Sequence, residues 1–234
     1  HISANSGIIE KANALVKKDN TIEMGAPAIL NQGVVELNYV TIQNVCNTFY
    51  DENDTSSSQA HSGGAVVHGN TATSTKMTNC VVNQVLSQTG SGVFAVNGSN
   101  GKIEITNTEF KNCINYTTVT GLHGGVIRGW GNSGTDITLT NVKVHHCFSA
   151  ADGGAMYFPS NGTNTTTEEQ AQLTFNGCKF YNNCAYLRGG ALDICANLNL
   201  TGNVTEVHHN YVQHPGTGTA GNGAGGGISF RGYD

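Results

Sequence analysis

Charge is scarce in this sequence. Lys, Arg, Asp and Glu make up 12% of its 234 residues, with a formal net charge of −5. The basic residues are scattered, so the basic stripe that nucleic acid requires is missing and no nucleic-acid partner is expected. No apolar run reaches about 18 residues, so no membrane insertion is expected. The seven cysteines contain no C-x-x-C and no metal-type spacing. There is no G-x-S-x-G, no P-loop and no H-E-x-x-H. The 16 acids are mostly isolated, so no paired-carboxylate motif stands out for glycoside cleavage. No cofactor is implied. The chain opens on His1 without a signal peptide, and reads as processed or as a segment of a larger or polymeric protein.

What is present is repetition. LTFNGCKFYNNCAYLRGGALDI (173–194) matches ITLTNVKVHHCFSAADGGAMYF (137–158) and IEITNTEFKNCINYTTVTGLHGGVI (103–127). Looser copies run over 35–68, 77–96 and 198–230. An apolar anchor recurs as Ile42, Val82, Phe110, Val144, Phe180 and Val207. The step from the second glycine of a GG pair to the next anchor is 18 residues from Gly64 to Val82 and 18 from Gly92 to Phe110. It is 19 from Gly125 to Val144, 26 from Gly154 to Phe180 and 17 from Gly190 to Val207. The pattern is a coil of about 27 residues with polar insertions at its corners, such as YDENDTSSSQAHS and NGTNTTTEEQ, as stacked solenoids allow.

That length favours strands over paired helices, which need roughly 33 residues or more. Val, Ile and Thr are abundant, and Ile103/Ile105 and Ile137/Leu139 alternate with polar residues. The expectation is an all-β parallel β-helix of about six to eight coils with about three strands each. The six anchors should form one inward row. The glycine pairs should mark tight or left-handed turns. Asn112, Asn182, Asn183 and Asn210 should bond the neighbouring coil through their amides. Residues 1–34 read as an N-terminal cap and first degenerate coil, and 35–234 as the repeats. Within the cap, Ile8, Ile9, Ala12, Leu15 and Val16 follow a helical stripe with Ser6 as N-cap, giving a short capping helix over the solenoid end. A degenerate GG-strand unit at Ser6–Ile9 is the alternative.

GGA-[ILV] paired with F-x-x-N, as in Gly189–Leu192 and Phe180–Asn183, resembles the repeat signature of polymorphic outer membrane protein (Pmp) passenger domains. Gly63–Val66, Gly124–Ile127, Gly153–Met156 and Gly226–Ile228 carry full or partial versions. The resemblance spans roughly residues 35–230. It implies a right-handed parallel β-helix with an extracellular or cell-surface location and an adhesive role, and it carries no catalytic residues. It is consistent with a stalk, surface adhesin or filament subunit. Partners would be other subunits or further repeats stacked end to end, and host or cell-surface glycans.

Candidate sites are few. The slot before GG places His123, Asp152 and Arg188 on three successive coils about 4.8 Å apart. These are weak catalytic candidates, and a carbohydrate-active β-helix enzyme of the polysaccharide lyase or hydrolase kind is the alternative function. The bland counterpart is a cross-coil ion-pair ladder joined by Asp193. His145-His146 and His208-His209 lie in the anchor-to-turn segment, two coils apart, and do not converge in sequence as metal ligands. His68 occupies a packed slot. Seven N-x-S/T sequons, at Asn53, Asn97, Asn115, Asn161, Asn164, Asn199 and Asn203, are glycosylation candidates. Cys113 and Cys147 share a slot on adjacent coils, where a disulfide is sterically possible. Otherwise the cysteines read as small buried hydrophobes.

Overall fold

Alternating apolar and polar residues build short strands that stack in parallel, coil upon coil. The computed structural model describes residues 2–4, 7–10, 17–18, 21–22, 27–47, 64–87, 92–97, 100–115, 125–129, 134–159, 170–214 and 225–230. Among them there is no helix. Apart from a short antiparallel pair, Lys17–Lys18 with Thr21–Ile22, the strands form four parallel sheets, visited in the same order on each turn, which is the topology of a parallel β-helix. Sheet 1 runs from Ile2–Ala4 through Val34–Asn38, Ser74–Thr78, Lys102–Thr106, Asp136–Thr140 and Gln172–Asn176 to Asn197–Leu200. Sheet 2 holds Gly7–Glu10, Val40–Gln43, Val81–Asn83, Glu109–Lys111, Lys143–His145, Lys179–Tyr181 and Glu206–His208. Sheet 3 is made of two-residue strands from Cys46–Asn47 to Tyr211–Val212. Sheet 4 runs from Ile29–Asn31 through Val66–His68, Phe94–Val96, Ile127–Arg128, Met156–Phe158 and Leu192–Ile194 to Ile228–Phe230. Each coil therefore has four strands, one more than expected.

The anchor row is real. Ile42, Val82, Phe110, Val144, Phe180 and Val207 are register partners in sequence along sheet 2. The first five are fully buried, and Val207 packs partly buried against the same core. Beside them stand Val35/Leu37, Ile103/Ile105, Ile137/Leu139 and Leu173/Phe175 from sheet 1, and Phe94/Val96, Met156/Phe158 and Leu192/Ile194 from sheet 4. One core thus runs the length of the stack.

The two corners that flank the sheet 2 strands use the left-handed backbone. Three residues before the anchor stand Tyr39, Asn79, Asn107 and Asn141, with φ of 55°, 54°, 48° and 52°, and then Gly177 at 66°. Two residues after it stand Asn44, Gln84, Asn112, His146, Asn182 and His209, all at 52–54°. Asparagine tolerates this region better than most residues because its short amide bonds locally. Here the amides also form ladders between coils. Asn107 Nδ2 donates to Asn79 Oδ1 at 3.2 Å, and Asn141 Nδ2 to Asn107 Oδ1 at 3.1 Å. The expected roles of the post-anchor asparagines divide. Asn112 and Asn182 form the left-handed corner, whereas Asn183 points inward. Asn183 Nδ2 donates to Val144 O at 2.9 Å, and its Oδ1 accepts from the Cys147 N–H at 3.2 Å. Asn210 repeats the contact on Phe180 O at 2.8 Å.

The glycine pair has a separate reason at each position. Gly189 has φ +57°, a left-handed turn. At Gly190 a Cβ would run into the Gly226 carbonyl and the Tyr211 backbone of the next coil, so no side chain fits.

Two expectations fail. The capping helix is absent where its N-terminal part is described, because Gly7–Glu10 is a strand. It pairs with Val40–Gln43 and puts Ile9 opposite Ile42, in the anchor row. The alternative is right that this segment is a strand, but it belongs to sheet 2 with the anchors and not to sheet 4 with the strands that follow the glycine pairs. Adjacent isoleucines suit a helical stripe, but the free edge of sheet 2 supplies hydrogen bonds that decide for strand. Ala12, Leu15 and Val16 lie outside the described residues. In the last coil, Ile228 pairs with Leu192 and Gly225 takes the left-handed turn with φ +64°. The glycine pair there is Gly225-Gly226, one residue earlier than Gly226-Gly227.

Candidate functional site

From Val66–His68 to Leu192–Ile194, the sheet 4 residues that point away from the hydrophobic core are nonetheless buried. Arg128, Tyr157 and Asp193 stand on successive coils in register. Arg128 is 6% exposed, Tyr157 2% and Asp193 0%, so this off-core face is also excluded from solvent. Asp152 joins them from the corner before the strand, where it bridges Arg188 of the next coil. Arg188 Nε donates to Asp152 Oδ1 at 3.0 Å and its Nη2 to Oδ2 at 2.8 Å, a bidentate pair. Asp193 Oδ2 lies 3.9 Å from the same Nε. The hydrogen bonds to Asp152, with the charge of Asp193 beside them, hold Arg188 above the ordinary arginine range. Burial pushes Arg128 down to about 10. Two carboxylates and two guanidiniums balance in charge.

Of the three residues proposed from sequence, Asp152 and Arg188 are therefore brought together and His123 lies outside the described residues. The pairing is the cross-coil ladder, with Asp193 attached as anticipated. What the sequence did not signal is the burial. A residue pointing off the core of a solenoid is ordinarily wet, and nothing local marks sheet 4 as different.

On sheet 2 the outward row is aromatic. His145 and Tyr181 stack at 4.6 Å between centroids and Tyr181 and His208 at 5.4 Å, each with an interplanar angle of 7°. His146 and His209 sit edge-on to their neighbours His145 and His208. His145 Nε2 lies 2.9 Å from Glu109 Oε1, and Lys111 Nζ lies 2.7 Å from Glu109 Oε2. Lys111 and His145 hold the Glu109 carboxyl below its usual range, against the opposing effect of burial.

His68 is a packed imidazole. It is fully buried, with Nδ1 2.8 Å from Thr75 Oγ1, which in turn accepts from Asn31 Nδ2 at 2.8 Å. Burial pushes its pKa below the ordinary value.

The sequons divide. Asn115 is fully buried and donates through Nδ2 to Gly125 O at 3.3 Å, a place with no room for a glycan. Asn199 and Asn203 are exposed and Asn97 is half-buried. Asn53, Asn161 and Asn164 lie outside the described residues. All seven cysteines are free thiols, six of them buried. Cys113 and Cys147 occupy matching corners of adjacent coils, with Cys147 Sγ 3.9 Å from Phe110 O of the preceding one. Burial raises Cys147 well above the ordinary thiol range. Cys80 and Cys178 fill core corners as small groups whose Sγ atoms contact Leu37 O at 3.6 Å and Leu139 O at 3.3 Å.

Comparison with known proteins returns no matching family model, no matching curated protein and no matching solved structure. Among the described residues no helix is long and apolar enough to cross a membrane.

Proposed function

We propose that this chain is an extracellular structural and adhesive β-solenoid of a cell surface, part of a stalk or filament, whose ends engage further coils. The observation that carries the reading is the last coil. Among the described residues, Asn197–Leu200, Glu206–His208, Tyr211–Val212 and Ile228–Phe230 each pair on one side only. Several apolar side chains of this coil are uncovered: Val204, between the first two strands, is 78% exposed, Leu200 64% and Phe230 59%. Open strand edges with apolar flanks are templates for another strand. The natural occupant is another β-helix coil, and a head-to-tail contact of this kind propagates rather than closes. The Pmp-like repeats support the surface setting. Corner insertions on a rigid stack suit contact with glycans.

A carbohydrate-active enzyme at the Asp152 face has less support. Both its described carboxylates are buried and Asp152 is locked on arginine.

Sedimentation and electron microscopy of the purified chain test the proposal. Concentration-dependent end-to-end oligomers are expected, abolished by Phe230→Asp with Val204→Lys. A strictly monomeric chain whose last-coil amides resist hydrogen exchange would refute it. A glycan array tests the adhesive arm.

A further inference from the structure

Two histidine pairs on sheet 2 have the same internal geometry. His145 Nδ1 lies 2.7 Å from His146 Nδ1, and His208 Nδ1 lies 2.7 Å from His209 Nδ1. Neighbouring residues of a strand point to opposite faces. Here the second histidine of each pair occupies the left-handed corner, with φ of 53° at His146 and 54° at His209. That turn brings its ring back beside the first. The convergence is therefore a product of the corner, and sequence spacing does not display it.

The hydrogen bonds fix the tautomers of the first pair. Asn182 Nδ2 faces His146 Nε2 at 3.3 Å and donates to it. His146 then carries its proton on Nδ1 and donates to His145 Nδ1. His145 in turn carries its proton on Nε2 and donates to Glu109 Oε1 at 2.9 Å. The His145 Nδ1 lone pair is thus aimed at its neighbour, with the far side of the ring held by a carboxylate. Metal-binding histidines are oriented in this way. The second pair has a similar carboxylate, with His208 Nε2 3.6 Å from Glu206 Oε2.

We propose that each His-His corner binds one copper(II)-like transition-metal ion through its two Nδ1 atoms, giving two sites per chain. A cation about 2.0 Å from both nitrogens would subtend about 85° at the 2.7 Å separation. A square-planar ion places neighbouring ligands near 90°, whereas a tetrahedral ion needs its nitrogens about 3.3 Å apart at that bond length. The geometry thus favours Cu(II) or Ni(II) over Zn(II). Histidine χ2 is soft, so both rings tilt to aim their lone pairs at one point. Binding moves the one His146 proton, the proton shared between the two Nδ1 atoms, to His146 Nε2, so both imidazoles stay neutral and no proton is released, and the Asn182 amide flips to accept it through Oδ1. Among the described residues no three His, Cys, Asp or Glu converge. Each pair therefore supplies two donors, and solvent completes the plane. Tyr181 stacks between His145 and His208 and so lines the two corners up along the outward face of sheet 2.

Titration with copper(II) chloride at neutral pH, followed by electron paramagnetic resonance, tests this. The native chain should give axial signals with nitrogen hyperfine structure from two imidazoles. His146→Asn and His209→Asn should each remove one equivalent of bound copper, and the double variant two. Asparagine already occupies that left-handed slot at Asn112 and Asn182, so these variants should fold, as circular dichroism will verify. Zinc should compete at least tenfold more weakly. An unchanged copper stoichiometry in the folded double variant, or zinc binding tighter than copper at these corners, would overturn the proposal. Copper held elsewhere, at His1 for instance, would survive both substitutions and is distinguished by them.

Discussion

Adjacent asparagines do unlike work in this chain. Asn182 takes a left-handed corner at the surface, where glycine would serve as well. Replacing it by Gly should change stability by less than about 0.5 kcal/mol. Asn183 is buried and caps Val144 O and the Cys147 N–H. Asn183→Ala should cost at least about 2 kcal/mol, because each buried backbone group left unpaired costs about 1–3 kcal/mol. Urea denaturation of the two variants separates these outcomes. His68 gives a pH effect of definite sign. Burial lowers its folded pKa below 6.5, so the unfolded chain binds the proton more readily. Its contribution is fully present above about pH 6.5 and is lost as pH falls from there toward the folded value. His68→Leu should flatten the denaturation midpoint between pH 7 and pH 5, and an equally steep midpoint in the variant would show that His68 is not its source.

Strands in this fold are two to five residues long, so no single one stabilises itself. Their strength lies in rows. Phe180 sits in the middle of one, in contact with Phe175 at 5.3 Å between ring centroids. Phe180→Ala should cost about 3–5 kcal/mol, whereas Asn199→Asp on an exposed strand should cost under about 0.5 kcal/mol. Calorimetry checks both, and equal losses would displace the core from this row. Those rows were legible in the sequence because a parallel stack repeats one inward residue at each turn. The corners at Asn112 and Asn182 were legible for the same reason. Sheet 3 was not, because a pair such as Leu86-Ser87 is too short for alternation to show. The N-terminal strand Gly7–Glu10 was misread because its partner is distant in sequence, while its adjacent isoleucines suggest a helical face. Asp152 and Arg188 were placed in one slot by the repeat frame, but their burial depends on what overlies sheet 4. The converging histidine rings depend on two backbone torsions that composition does not encode.

Each coil bonds only to the coils before and after it, so stability accumulates along one dimension. The end coils have one neighbour and the middle coils two. In the dissociated chain, amide hydrogen exchange should therefore be slowest in 136–140 and 172–176 and fastest in 197–214 and 225–230, and the last coil should gain protection in end-to-end oligomers. Uniform protection would mean that the last coil is covered in solution. The parallel register has a mechanical counterpart. The bonds between coils lie along the long axis, so tension applied from end to end loads them one coil at a time. A coil peeled away releases, for instance, the 36 residues between Val144 and Phe180, which extend to roughly 120 Å in place of about 4.8 Å of rise. Such a chain would yield to a pull in discrete steps, lengthening many-fold before its next coil is disturbed. Held between two surfaces, it would act as an extensible tether that dissipates load.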